Sequence, residues 1–171
     1  MYDVIIIGKG PAGISASLYV KRANLSVLII GKDEGALSKA KKVENYYGVV
    51  GSGEDILKAG EKQALDLDIE ILTEEVLSID YNKNFIVTTT GKENNSKYEA
   101  KAVIIATGIN RPLPYIKGLK EFENKGISYC AICDAFFYKG KIVAVLGNGQ
   151  YALHEAKYLQ NVANKVYILS N

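Results

Sequence analysis

Val4–Ile5–Ile6–Ile7–Gly8–Lys9–Gly10–Pro11–Ala12–Gly13 decides the fold. An apolar run this rich in β-branched residues reads as a strand buried on both faces. The glycines after it have separate tasks. Gly8 makes the tight turn, Gly10 lets backbone approach a phosphate, and Gly13 lets the next helix pack on the strand. Pro11 stands where the first turn of a helix tolerates proline, and Ile14, Ala16 and Leu18 supply an apolar stripe. Strand, glycine turn and helix in this order give the context in which such a fingerprint means dinucleotide binding. The alternative is a turn kept for packing alone. An acidic residue is expected at the end of the next strand to hold a ribose; Gly31 and Lys32 stand there, with Asp33 and Glu34 the nearest substitutes.

The same grammar returns at Gly147–Asn148–Gly149–Gln150–Tyr151–Ala152. Ile142–Leu146 precedes it, and Ala152, Ala156 and Leu159 come after it at helical spacing. Five runs read as buried parallel strands: Val4–Ile7, Val27–Ile30, Ala102–Ala106, Ile142–Leu146 and Val166–Leu169. A β–turn–α–β unit therefore occurs twice, near residues 3–30 and 141–169. Between them, Ile69–Ile79 and Phe85–Thr90 read as strands joined at Asn82–Lys83–Asn84, with a shorter one ending at Tyr98. Gly91 to Lys97 reads as a polar hairpin tip, so residues 69–100 form an antiparallel insertion. Arg111–Pro112–Leu113–Pro114 breaks the chain and is the candidate domain boundary. A single βαβ unit cannot cover both faces of its strands. The second domain is expected to be truncated, or completed by another chain.

Composition narrows the classes. The 171 residues carry a net charge of +2 with scattered lysines, which gives no footprint for nucleic acid. No run approaches the ~20 apolar residues of a membrane span, and no signal-peptide pattern opens the chain. Two cysteines, two residues apart, exclude a secreted disulfide framework and suit a cytoplasmic Cys-x-x-Cys.

That pair is Cys130–Ala131–Ile132–Cys133, with Asp134 next in sequence, and it precedes the second fingerprint. A dithiol and its disulfide interconvert by two electrons, and such a pair commonly has one thiol of lowered pKa. Asp134 is a candidate proton donor or acceptor. Two bland readings compete: half of a zinc site, for which only His154 is on offer besides, or two buried structural thiols. His154, the single histidine, reads as a polar residue on a helix surface rather than a catalytic base. Most of the 12 tyrosines read as amphipathic packing, but Tyr46–Tyr47 lie in a loop where a flat ligand would need walls.

Taken in order, Gly8–Gly13, Val43–Glu44–Asn45–Tyr46 with Gly48, Ala106–Thr107–Gly108 and Cys130-x-x-Cys133–Asp134 resemble the low-molecular-weight thioredoxin reductases over the whole chain. The resemblance implies an α/β fold of two Rossmann-like dinucleotide-binding domains, three-layered, the second truncated in this chain. It divides the chain into an FAD-binding domain at 1–112 and a partial NADPH-like domain at 116–171. Gly8, Gly10, Pro11, Ala12 and Gly13 would hold the FAD pyrophosphate. Asn45 would lie near the flavin ring, and Thr107 and Gly108 near the cofactor. Cys133 would be the sulfur nearest the flavin, Cys130 the one that exchanges with a thioredoxin-like partner, and Asp134 the acid. Gly147, Gly149 and Ala152 would form the second dinucleotide-like loop. No metal is implied, and the full-length protein would be a homodimer. The family's remaining NADPH domain and a C-terminal return to the FAD site lie outside this sequence.

Two departures bear on the electron donor, and a smaller one concerns the flavin contact. In members that use NADPH, Asp–Ser–Ala comes after the second glycines, where this chain has Gln150–Tyr151–Ala152. Their next strand ends in His–Arg–Arg, whose arginines clamp the 2′-phosphate; here Ser170–Asn171 come after Leu169. Ala36 replaces a glutamine that often touches the flavin. The first two departures resemble the pyridine-nucleotide-independent branch, in which reduced ferredoxin feeds the flavin. NADPH as donor, and a non-catalytic FAD-binding redox sensor, are the rival readings.

Overall fold

Strand β1 (Tyr2–Ile7) runs into the glycine turn, which opens helix α1 (Pro11–Arg22) and leads to β2 (Val27–Ile30). A one-turn 3₁₀ segment (Ala36–Lys39) precedes a short hairpin, β3 (Val43–Tyr46) and β4 (Val49–Gly51). Helix α2 (Gly53–Leu65) then leads through β5 (Glu70–Leu72), β6 (Val76–Asn82) and β7 (Asn84–Thr89) to the long β8 (Ser96–Ile105). After these come a one-turn helix α3 (Ala131–Asp134), a 3₁₀ segment (Ala135–Tyr138), β9 (Ile142–Leu146), α4 (Gln150–Leu159) and β10 (Lys165–Leu169). This computed structural model describes residues 1–91, 94–109, 114–123 and 125–170. The chain divides into two compact units, Met1–Arg111 and Pro112–Asn171. Of the candidate boundary Arg111–Pro112–Leu113–Pro114, only Pro114 lies within the described residues.

In the first unit the strand order is β5-β2-β1-β8-β7-β6. β5, β2, β1 and the second half of β8 are parallel, with Ile5 opposite Leu28 and Val103. Because side chains alternate along a strand, β1 and β2 feed two cores. Val4, Ile6, Val27 and Ile29 meet Ile14 of α1 and Ala64 of α2. Ile5, Ile7, Leu28 and Ile30 meet Val87 and Ala100, with Val76 and Tyr98 alongside. Ile5, Ile6, Leu28, Ile29 and Ile30 are fully buried, each contributing about 1.5–3 kcal/mol. The helices pack on one face of the parallel strands and the antiparallel strands on the other, within the α/β class expected.

Two strand readings need correction. Ile69–Ile79 is not one strand. Its first part is β5, an edge of the parallel sheet beside β2; its second part is β6, paired antiparallel with β7. The break at Thr73–Glu75 is held from the side: Thr89 and Tyr98 donate to Glu74 Oε2, and the Glu75 N–H donates to Thr90 Oγ1 at 3.2 Å. Conversely, the run ending at Tyr98 and the run Ala102–Ala106 are one strand, β8. Its first half pairs with β7 and its second with β1, the two pairings meeting at Ala100. The β6–β7 joint is as read: Lys83 takes φ +64° between Asn82 and Asn84. The hairpin tip at 91–97 falls partly outside the described residues. Tyr46–Tyr47 lie on the β3–β4 hairpin rather than in an irregular loop, with Gly48 at positive φ in its turn.

In the second unit β9 and β10 are parallel, with Val143 opposite Val166. Val143, Val145, Val162 and Val166 pack with Ala131, Ala135 and Leu159. The expectation that Ile142–Leu146 and Val166–Leu169 are buried holds for one face only: Ile142, Leu146 and Leu169 are exposed. α3 and α4 pack on one side of the pair, and no described residue of this unit covers the other. No helix among the described residues is long and apolar enough to cross a membrane.

Candidate functional site

The first site is the turn after β1. The Gly8 N–H donates to the Ile30 carbonyl at 2.7 Å, and the Ala106 N–H to the Ile7 carbonyl at 2.7 Å. Gly8 takes φ +115°, and a Cβ on it would stand 2.2 Å from the Ala106 oxygen and 3.2 Å from the Thr107 nitrogen. Only glycine tolerates both demands. The close approach brings the fingerprint beside Ala106–Thr107–Gly108. At Gly13 a Cβ would stand 1.8 Å from the Gly8 oxygen, so α1 sits directly on the turn. Gly10 is different: nothing lies within 4 Å of where its Cβ would be. It caps α1 in extended conformation with no side-chain hydrogen bond, and no acidic residue stands in the first turn. Pro11 opens the helix, and Pro11 and Ala12 are exposed. An exposed helix N-terminus with open space above its glycine suits a pyrophosphate, so the residues present fit a bound dinucleotide.

Just beyond β2, the acidic residue nearest the expected position is held within its own turn. Asp33 Oδ1 accepts from the Gly35 N–H at 2.8 Å and so closes its own turn, while Lys32 pairs with Glu75 at 2.8 Å. That pairing raises the Lys32 pKa. Lys9, inside the fingerprint, has a part that sequence reasoning missed. Its side chain lies over Gly31, where a Cβ would come within 2.8 Å of it, and its Nζ donates to Thr73 Oγ1 at 3.2 Å. Asn45 is exposed on β3, and Thr107 and Gly108 are exposed just beyond β8.

The second site is the cysteine pair, in the other unit. Cys130 and Cys133 are joined as a disulfide, with Cα atoms 5.3 Å apart across α3. Cys130 is half-buried and Cys133 exposed. The disulfide sets aside the reading of two separate buried thiols. Cys130 is the N-cap of α3, its Sγ accepting from the Cys133 N–H at 3.3 Å. Asp134 does not point free. Ser128 Oγ donates to its Oδ2 at 2.6 Å and accepts from the Cys130 N–H at 3.1 Å, so one hydroxyl ties the acid to the first cysteine's backbone. Burial raises the Tyr138 pKa, and the Asp134 charge adds to it.

Sequence reasoning also missed Glu155. It is 8% exposed, and its Oε2 accepts from the Ala131 N–H at the head of α3, at 2.5 Å. A signal was available: Ala152, Glu155, Ala156 and Leu159 share one helical stripe, and a carboxylate within an apolar stripe needs a partner.

The second glycine turn completes this unit. Gly147, at φ +151°, donates its N–H to the Leu169 carbonyl at 2.9 Å; Gly149 caps α4 with open space above it. Ala152, buried, stands where Gly13 stands in the first turn. Tyr151 is at the helix start, its hydroxyl donating to the Tyr129 carbonyl at 3.4 Å. His154 is on the exposed side of α4, its Nδ1 3.5 Å from Glu155 Oε1.

One βαβ unit is built around an open-topped glycine turn, and a second carries a Cys-x-x-Cys disulfide; together they define the class as a double dinucleotide-type fold with a redox-capable pair. The chain belongs to the pyridine nucleotide-disulphide oxidoreductase family, whose model matches residues 2–171. It is 39% identical over 175 residues to "Thioredoxin reductase" of Aquifex aeolicus, matching 99% of this chain and 53% of that protein. It is 40% identical to "Thioredoxin reductase" of Ureaplasma parvum, over 100% of this chain and 55% of that one. Among solved structures, "Thioredoxin reductase from Giardia duodenalis" superposes with a TM-score of 0.89 at 38% identity, over 98% of this chain and 55% of that chain. The chain thus spans about half the length of the relatives it matches.

Proposed function

We propose that the intact protein is a flavin-dependent thioredoxin-disulfide reductase of the low-molecular-weight type, with ferredoxin as its reductant. In this reading residues 1–112 bind FAD, and residues 116–171 form the NADPH-like domain that carries the redox pair. The observation that carries it is the disulfide across α3, in a chain whose other unit presents a glycine turn fitted for a dinucleotide. Gly8, Gly10 and Gly13 with Pro11 and Ala12 hold the pyrophosphate; Asn45, Thr107 and Gly108 face the rest of the cofactor. The Gly8–Gly13 turn would hold FAD, which, once reduced by the donor, would supply the electron pair for opening the disulfide. With two protons this gives the Cys130–Cys133 dithiol.

The chain's own residues then do the exchange. The Cys130 thiolate attacks a disulfide sulfur of thioredoxin; one S–S bond forms, another breaks, and a thioredoxin thiolate leaves. The Cys133 thiolate attacks Cys130 Sγ, which restores the internal disulfide and releases the second thioredoxin thiolate. Asp134, held by Ser128, delivers or takes the proton at these sulfurs.

NADPH as the donor is the second reading, and one observation favours it. The second turn keeps the open space above Gly149 and lacks an acidic residue in the first turn of α4. Against it stand Tyr151 at the helix start and the neutral Ser170–Asn171.

Two variants of the intact protein test the sulfur roles. Cys130→Ser should leave the Cys133 thiolate beside oxidised flavin and give a long-wavelength charge-transfer band; Cys133→Ser should give none. Both should lose thioredoxin reduction. Exposure alone would suit Cys133 to either partner, so the spectra decide. Identical spectra would overturn the assignment, and turnover by either variant would overturn the exchange mechanism.

A further inference from the structure

Glu155 is a buried carboxylate that the exchange mechanism leaves unused. It reaches from α4 to the head of α3 and takes the Ala131 N–H, the first amide after Cys130, at 2.5 Å. Its other oxygen faces His154 Nδ1 at 3.5 Å. The second acid nearby, Asp134, is engaged by Ser128. An unopposed helix N-terminus stabilises a thiolate at its first turn, because its amides carry partial positive charge. Here one of those amides is taken up by a carboxylate, which adds a negative charge of its own. Both effects disfavour a thiolate at Cys130 or Cys133. A couple whose reduced form is destabilised in this way is a stronger reductant, just as one whose reduced form is stabilised is a strong oxidant. The same hydrogen bond fixes α3 to the helix that begins at the second glycine turn.

We infer that Glu155 is a positioning residue for the Cys130–Cys133 couple: it anchors the redox turn by the Ala131 amide and holds the couple at a reducing potential. This rests on the reading of the pair as an exchanging disulfide. For a protein that hands electrons outward to another disulfide, a low potential keeps the flow in that direction.

Glu155→Gln separates the two parts of the claim. The amide oxygen still accepts the Ala131 N–H, but the charge is gone. The purified chain is equilibrated in buffers of reduced and oxidised dithiothreitol at pH 7, and free thiols are trapped with a maleimide and counted by mass. Each disulfide reduced consumes one dithiothreitol dithiol and yields one cyclic disulfide, so the equilibrium constant is obtained directly. We expect the Gln variant to favour its dithiol about tenfold more than the parent, which is about 30 mV for this two-electron couple. Alkylation of the reduced pair should also speed up, with the folded circular dichroism unchanged. An unchanged constant in a folded Gln variant, or a shift toward the disulfide, would overturn the inference. Should that variant not fold, Glu155→Asp withdraws the charge by one methylene. A shift in the same direction of at least twofold supports the inference, and no shift overturns it. A parent pair that fails to cycle at all would instead overturn the exchanging-disulfide reading beneath it. Neither flavin nor thioredoxin enters the measurement.

Discussion

At the first glycine turn a Cβ on Gly13 would stand 1.8 Å from the Gly8 oxygen; at the second turn the corresponding residue, Ala152, carries its Cβ, and a Cβ on Gly147 would stand 3.0 Å from it. Both turns cap their helices with an extended glycine under open space, and neither places an acid in the first helical turn. The two differ in the residues just after the cap. The first continues with Pro11 and Ala12, which add little bulk at the helix start; the second continues with Gln150 and Tyr151, whose hydroxyl reaches the segment leading to Cys130. One fingerprint therefore serves two ends. The first turn is packed tightly behind and left open in front, as a phosphate site requires. The second turn is looser behind and carries a tyrosine at its helix start, and its helix gives a buried carboxylate to the redox turn.

The sharpest way to break this contrast is to exchange the residue that differs behind each turn. Gly13→Ala forces a methyl group into a backbone oxygen and should cost about 3 kcal/mol. In thermal unfolding of this 171-residue chain that is a fall in midpoint of roughly 6–12 °C. Ala152→Gly removes a methyl that has room and should cost about 1 kcal/mol. Equal losses from the two substitutions would mean that the turns are packed alike.

The next test acts in front of the turns. Gly10→Val enters open space in a backbone conformation any residue adopts, so the variant should fold. Its branched side chain would then occupy the phosphate seat. Purified intact protein should lose its yellow colour, with flavin affinity down at least about tenfold, or about 1.4 kcal/mol. Gly149→Val should leave the flavin spectrum as it was. Retention of full flavin by Gly10→Val would remove the cofactor assignment to this turn.

How much of this was legible in the sequence depends on the range of the interaction. The five parallel strands, both glycine turns and the helical stripe of α4 are local patterns, and period and spacing reveal them. The division of Ile69–Ile79 was hidden, because Glu74 and Glu75 find their partners at Thr89, Tyr98 and Thr90, across the sheet. The continuity of β8 was hidden for the same reason: its two halves belong to different layers. At the site, Cys130, Cys133 and the three glycines of the first turn announced themselves by spacing. Lys9 and Glu155 did not, since each acts on a residue distant in sequence, Thr73 and Ala131 respectively. A charged residue on an apolar stripe was the visible trace of Glu155.

A smaller effect concerns how each unit anchors its strands at the end opposite the turn. At the start of β1, Asp3 accepts from Lys101 at 2.7 Å and from Ser26. The Lys101 hydrogen bond, then those from Ser26, hold its carboxyl well below the usual carboxylate range. A lowered pKa in the fold gives stability that is present above the unfolded value of 3.8 and is lost as the pH falls below it. Asp3→Asn should therefore lower the thermal midpoint slightly at pH 7, with the difference shrinking as the pH is taken down to about 2. At the start of β10 the corresponding contact is Lys165 over the Tyr167 ring, 4.8 Å from its centre. A difference between Asp3→Asn and the parent that persisted undiminished into the acid range would assign the anchoring to shape rather than charge.

The contrast between the turns is tested most directly at the point of electron entry. The intact protein is titrated anaerobically with NADPH, NADH or reduced ferredoxin while the flavin absorbance is monitored. A large Tyr151 stands at the helix start where NADPH-using members carry a small residue, and Ser170–Asn171 offer no cation to a 2′-phosphate. Loss of one charge-assisted contact costs about 1.5–3 kcal/mol, roughly a 10- to 150-fold loss of affinity. The account predicts prompt bleaching by stoichiometric reduced ferredoxin and little by stoichiometric NADPH or NADH. Rapid bleaching by stoichiometric NADPH would contradict it, and would give the second turn the nucleotide-binding role proposed for the first.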